Sequence, residues 1–140
     1  MKKSVVIDTN VLVAATRSRI GGAFVLMTHV RSGRIVTRCS AAMFLEYEAV
    51  FKRPEQRAAS GLLLSDVDEV LYELAALVVL VRTHYQWRPQ LRDPADEMVL
   101  EAAVNASADT MVSYNLKDFD AAFKFGLKIL TPQQTMAFLG

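Results

Sequence analysis

Apolar residues in this chain form short continuous runs, separated by stretches with helical periodicity. The first run is Val5-Val6-Ile7, which ends at Asp8. A strand that is apolar on both sides is typical of a parallel sheet covered on both faces. The pattern predicts β-strands over Lys3–Ile7, Arg34–Cys39, Leu77–Val81, Thr110–Ser113 and Leu127–Leu130.

Helical periodicity and capping residues predict helices between these strands. Arg53–Gly61 is predicted to be a polar loop, because Pro54 stops the preceding helix. One helix is predicted to begin at Ser65, with a capping box to Asp68 or Glu69. The other predicted helices start after Thr9 or Asn10 or cover Ala23–Arg31, Ala41–Phe51, Ala95–Asn105 and Pro132–Leu139.

This alternation predicts an α/β fold, a single domain over residues 1–140 with helices on both faces of a parallel sheet. Open sheets of this kind bind ligands at the carboxyl ends of their strands, where the strand order reverses. We expect the first and fourth strands to be neighbours at that point. Residues that follow these two strands would then face one crevice.

Composition narrows the class of protein without identifying it. The chain is 52% hydrophobic and 22% charged, which is typical of a globular domain. Its longest central apolar run, Leu74–Val81, is too short to span a bilayer, and Asp8 interrupts the only stretch resembling a signal peptide. The single cysteine, Cys39, cannot form an internal disulfide, and we expect a buried thiol in a cytoplasmic protein with no membrane partner.

The net charge of +1 hides an asymmetry along the chain. Residues 1–60 hold 10 Lys and Arg against 4 Asp and Glu, a difference of +6, whereas residues 61–140 hold 6 against 11, a difference of −5. The asymmetry suggests a bound polyanion on one side and cations on the other. The alternative is that these charges are only the solvated faces of helices.

Glu46 lies where a surface charge is not expected. Its neighbours three and four positions away in the predicted helix are all apolar: Ala42, Met43, Ala49 and Val50. Burying a carboxylate there is costly unless it is paired or binds a cation. Glu48 differs, because Lys52 four residues later suits a surface ion pair.

Asp96 repeats this pattern in the next helix. Val99, Leu100 and Ala103 follow it on the same face. The alternative is that an acid in a first turn only complements the helix dipole. Glu101 lies with Asp93 and Glu97 on another face, which we predict to be a solvated edge.

The remaining candidates follow the first and fourth strands. Asp8 ends the first strand, and Asn115 and Asp118 follow the fourth. Each has an alternative as a turn or helix-capping residue. Gathered together, carboxylates repel one another, and divalent cations relieve that repulsion. Oxygen ligands favour Mg²⁺ or Mn²⁺, ions that commonly meet substrates through phosphate and can activate water.

Four motifs, in order, cover essentially the whole chain and resemble PIN-domain proteins. They are Val6-Ile7-Asp8-Thr9-Asn10-Val11-Leu12, Glu46-Tyr47-Glu48-Ala49-Val50-Phe51-Lys52-Arg53-Pro54, Arg92-Asp93-Pro94-Ala95-Asp96-Glu97 and Val112-Ser113-Tyr114-Asn115-Leu116-Lys117-Asp118-Phe119. The similarity is greatest to the VapC-like toxin components of toxin–antitoxin systems. It implies a three-layer α/β/α sandwich with a central parallel sheet of four to five strands. It also implies a Mg²⁺- or Mn²⁺-dependent ribonuclease, a homodimer and a cognate antitoxin.

The resemblance assigns Asp8, Glu46 and Asp96 to the first three acids of the family. Asn115 stands where many members have Asp, so Asp118 completes the set of catalytic and metal-binding residues. Ser113 replaces a frequent Thr. Together with Asn115, it is expected to position phosphate or water, as are Thr9 and Asn10.

The hypothesis is therefore hydrolysis of an RNA phosphodiester. Candidates for contacts with the RNA are Arg17, Arg19, Lys52 and Arg53 along the backbone, and Tyr85 and Trp87 at the bases. One alternative is a PIN-fold module with a weakened site that binds RNA or a protein without cutting it. An aspartyl-phosphate phosphatase or receiver domain fits less well, because Asn10 stands where the phosphatase needs a second Asp.

Overall fold

A computed structural model describes residues 3–18, 20–82, 94–117, 119 and 126–139. At its centre is a five-stranded sheet in the order β3-β2-β1-β4-β5, in which every pairing is parallel. The strands are β1 (Lys3–Ile7), β2 (Ile35–Cys39), β3 (Val79–Leu80), β4 (Thr110–Val112) and β5 (Lys128–Leu130).

Helices cover both faces of this sheet and form a three-layer α/β/α fold. Helix α6 packs against β1, β2 and β4, whereas α2 and α7 pack against each other and against strands β2, β4 and β5. The helices are α1 (Thr9–Arg17), α2 (Gly22–Arg31), α3 (Ala41–Phe51), α4 (Pro54–Ser60), α5 (Leu64–Leu77), α6 (Pro94–Ala106) and α7 (Pro132–Leu139). In the part of the chain described, no single helix is long and apolar enough to cross a membrane.

Strand β1 lies in the middle of the sheet, as its apolar sequence predicts. Val5, Val6 and Ile7 are at most 1% exposed, because both faces of the strand are covered. The chain runs outward from β1 through β2 to β3 and then returns to place β4 on the other side of β1. The strand order therefore reverses between β1 and β4, which confirms the expected neighbours.

The predicted polar loop at Arg53–Gly61 is wrong, because residues Pro54–Ser60 form α4. Pro54 is the first helical residue, where its missing N–H costs nothing. Gly61 ends the helix with φ of 75°, a left-handed conformation that favours glycine. No residue of α4 is buried, so the helix lacks the apolar periodicity that would reveal it in the sequence.

Two predicted boundaries shift because α5 extends in both directions. The helix begins at Leu64, and the Asp66 carboxylate accepts a hydrogen bond of 2.9 Å from the Leu63 N–H. That contact replaces the predicted capping box at Ser65. The helix continues to Leu77, so β3 is confined to Val79–Leu80.

Candidate functional site

Asp8 lies at the carboxyl end of β1, where the strand order reverses. Its backbone N–H donates to the Val112 carbonyl at 2.9 Å and extends the pairing of β1 with β4. Asp8 occupies the N-cap position of α1, yet its side chain makes no capping hydrogen bond. The carboxylate is 9% exposed, so capping does not account for this buried charge.

Ser113 connects the ends of the two central strands. Its hydroxyl donates to Asp8 Oδ2 at 2.8 Å and accepts from the Asn115 backbone N–H at 3.0 Å. Ser113 is fully buried, and its own N–H continues the sheet by donating to the Leu130 carbonyl at 3.0 Å. One hydroxyl thus fixes both the Asp8 carboxylate and the start of the loop after β4.

Thr9 and Asn10 begin α1 beside this pair. Thr9 is buried, and the Asn10 Oδ1 atom accepts a long hydrogen bond of 3.5 Å from the Tyr114 N–H. The loops after β1 and β4 are therefore joined a second time. Asn115 is exposed beside them, and Asp118 lies outside the described residues.

Helix α3 is anchored to the same end of β1 through Tyr47. The Tyr47 hydroxyl donates to the Ile7 carbonyl at 2.5 Å, and the ring is 1% exposed. Ser40 caps the helix by accepting from the Met43 N–H at 3.2 Å. Glu46 precedes Tyr47 and is half-buried. Of its apolar helical neighbours, Met43 and Val50 are buried, whereas Ala42 and Ala49 are exposed.

Helix α6 carries Asp96 in its first turn, where the side chain is half-buried. The predicted solvated edge is wrong for Glu101, which is only 6% exposed. The reason is that α6 is enclosed by β1, β2, β4 and α3, so residues 99–103 are all buried. The signal for this burial in the sequence is that Met98 and Val104, three residues before and after Glu101, are both apolar.

The groups brought together at the strand ends are carboxylate, hydroxyl and amide oxygens. These are ligands that Mg²⁺ and Mn²⁺ prefer, so the chemistry of the donors fits such an ion. Within the described ranges, no group of three or more Asp, Glu, His or Cys side chains is arranged to hold a metal ion.

The expected RNA contacts are only partly described. Lys52 lies 3.7 Å from Glu48, the predicted ion pair, and 3.9 Å from Asp68. Its charge is therefore shared with two carboxylates. Arg19, Tyr85 and Trp87 lie outside the described residues.

The Tyr47 phenol and the Cys39 thiol both have pKa values raised by burial. Burial, followed by the charges of Cys39 and Asp8, raises the pKa of Tyr47 well above its ordinary range. Cys39 is buried, which confirms the expected buried thiol, and burial raises the pKa of this thiol from 9.0 to about 11.

The Cys39 pKa predicts a loss of stability in alkali. Between pH 9 and 11 the unfolded thiol ionises while the folded thiol keeps its proton. The unfolded state then binds fewer protons, so the free energy of unfolding falls by up to about 1.4 kcal/mol per pH unit. The stability that the buried, neutral Cys39 thiol contributes is fully present below pH 9. Urea titrations at several pH values in this range give the free energy of unfolding as a function of pH. That free energy should fall less steeply with pH in Cys39→Ala than in wild type, and equal slopes against pH would contradict the assignment.

Comparison with protein families and with solved structures gives matches in both. A family model described as PIN domain matches residues 4–117. The fold is similar to that of a chain in the crystal structure of FitAcB from Neisseria gonorrhoeae, with a TM-score of 0.54 and 13% sequence identity. That alignment covers 92% of this chain and 98% of the other. No curated protein matches the sequence.

Proposed function

The chain belongs to the PIN-domain family, and from this premise we propose that it is a metal-dependent endoribonuclease, the toxin of a type II toxin–antitoxin pair. The observation that carries the proposal is the buried Asp8 carboxylate bonded to Ser113 where the strand order reverses. A buried carboxylate at the ligand-binding edge of a sheet is costly to the fold and suits a cation.

The residues that would hold the ion are Asp8, Glu46, Asp96 and Asp118. Mg²⁺ or Mn²⁺ bound there supplies positive charge that lowers the pKa of water and stabilises the oxygens of a phosphodiester. Asp8 and Asp96 are the proposed direct ligands. Glu46 would bind the ion or orient the attacking water, and Asp118 would act directly or through water.

The polar residues around Asp8 orient these groups. Ser113 fixes one carboxylate oxygen of Asp8, so the other oxygen keeps a defined direction. Asn10 and the Asn115 backbone hold the two loops together through Tyr114 and Ser113. In this proposal Thr9, Asn10, Ser113 and Asn115 position the phosphate or water.

Cleavage of single-stranded RNA by the purified protein tests this function. We expect endonucleolytic products in Mg²⁺ or Mn²⁺, background hydrolysis in EDTA, and recovery when excess metal is restored. Asp8→Asn protein purified identically controls for contaminating ribonucleases. Undiminished cleavage in chelator would exclude the metal-dependent mechanism.

A second candidate function is binding of RNA or a protein partner without cleavage. The observation that favours it is Asn115, an uncharged side chain where many family members have Asp. RNA binding with no products under any divalent ion would support this function over the first.

The proposed partners are the RNA substrate, a cognate antitoxin and a second copy of the chain in a cytoplasmic complex. Support for the antitoxin comes from the toxin-like motifs and from the fold shared with FitAcB. We expect a small reading frame next to this gene. Its product should co-purify with this chain and block cleavage. Cleavage that such a product leaves unchanged would contradict the pairing.

A further inference from the structure

A pocket of about 460 Å³ runs along α1 beside the candidate metal site. Thr9 and Asn10, which directly follow Asp8, line one end of this α1–α4 pocket, and Arg17 lines the other. Arg17 follows Asn10 by seven residues, so the two lie on the same helical face about 10 Å apart along the axis. Val50 forms part of its apolar wall.

Arg17 has a neutral partner in this pocket. Its guanidinium donates a hydrogen bond to the Gln56 side-chain oxygen. Gln56 belongs to α4, the helix that the sequence pattern did not reveal, and it also lines the pocket. Within the described ranges Arg17 forms no ion pair, so its positive charge has no carboxylate there to neutralise it.

The groups lining the pocket favour an anionic, extended ligand. Arginine presents five N–H donors in a planar fork that matches phosphate oxygens. Among the described residues that line the pocket, none is acidic, and Asn10 and Ser18 add amide and hydroxyl groups. Lys52 is a poorer candidate, because Glu48 and Asp68 lie within 4 Å of its ammonium group.

We propose that the α1–α4 pocket binds the phosphate of a nucleotide adjacent to the one cleaved at Asp8, with Arg17 as its cation and Gln56 as the residue that orients it. The inference rests on the proposed function, since it takes single-stranded RNA as the ligand. A role for Arg17 limited to complementing the dipole at the end of α1 predicts no effect on RNA.

Salt-dependent RNA binding tests the pocket separately from cleavage. Affinity for a short fluorescent single-stranded RNA is measured by anisotropy in EDTA, over a series of salt concentrations. Arg17→Gln should weaken binding about fivefold and reduce the slope of log affinity against log salt by about 0.7, the value for one phosphate contact on a single strand. Gln56→Glu, which neutralises Arg17 without removing it, should have the same effect on the slope.

Arg34→Gln is the matched control. Arg34 is exposed just before β2, at the amino edge of the sheet and away from Asp8, and its substitution removes the same unit of charge. Thermal unfolding should confirm that all three variants fold. In cleavage assays Arg17→Gln should raise KM and leave kcat unchanged, because the contact is equally strong in the ground and transition states.

The outcomes separate this inference from the nuclease proposal. Equal affinities and slopes for the Arg17→Gln and Arg34→Gln variants would overturn the pocket, even if the wild type cleaves RNA. If the protein binds RNA through Arg17 but cuts no RNA, the result would support RNA binding in the pocket and overturn the nuclease proposal. If Arg17→Gln binds RNA normally but no longer binds a purified protein partner, the pocket would be assigned to that partner and the inference overturned.

Discussion

Asp8→Asn is expected to reduce RNA cleavage by about a thousandfold or more, since a metal ion contributes several kcal/mol to the transition state. The substitution changes charge with almost no change in shape. The Asn oxygen can still accept the hydrogen bond from Ser113 that Asp8 Oδ2 accepts at 2.8 Å. The loss would therefore be traced to the missing carboxylate charge and its metal.

The same variant should fold at least as well as wild type in the absence of metal. A carboxylate that is 9% exposed pays for its burial in free energy, and the amide is easier to bury. Single-turnover cleavage and thermal unfolding in EDTA measure the two effects. Glu69→Gln, at an exposed position in α5, is the control and should leave cleavage unchanged. Wild-type cleavage by a folded Asp8→Asn protein would contradict the role of Asp8.

Ser113→Ala is expected to weaken metal binding or activity by about 10- to 100-fold, the usual cost of removing a group that orients a metal ligand. The Ser113 hydroxyl is a donor to Asp8 and an acceptor for the Asn115 N–H. Its removal takes one hydrogen bond from the Asp8 carboxylate and removes the acceptor of the Asn115 N–H. We expect about 1 kcal/mol of lost stability as well.

The metal concentration that gives half-maximal cleavage separates the two effects of Ser113→Ala. This metal concentration should rise in Ser113→Ala far more than the small loss of stability would explain. Ser113→Thr keeps the hydroxyl and should restore metal dependence close to that of wild type. A Ser113→Ala protein with unaltered metal dependence would assign Ser113 to loop structure alone.

The elements that the sequence predicted well are those whose local pattern matches their final environment. Val5, Val6 and Ile7 are apolar in a row and are buried on both faces of the sheet. The rule that ligands bind where the strand order reverses predicted that residues following the first and fourth strands meet, and the hydrogen bond between Asp8 and Ser113 lies at that point.

The elements that it predicted poorly depend on contacts between distant parts of the chain. Helix α4 has no buried residue, so its formation follows from Pro54 and Gly61 rather than from hydrophobic periodicity. Glu101 looks solvated beside Glu97 in the sequence, and only the enclosure of α6 by strands and α3 buries it. The Tyr47 hydrogen bond to the Ile7 carbonyl likewise joins residues that no local pattern connects.

Titration with Mn²⁺, followed by the electron paramagnetic resonance of the free ion, tests the central claim most directly. Wild-type protein should remove Mn²⁺ from solution at a stoichiometric site, Asp8→Asn should abolish that binding, and Glu46→Gln and Asp96→Asn should each weaken it. Folded variants that all bind Mn²⁺ as the wild type does, or a wild type that binds none, would contradict a divalent ion held at Asp8.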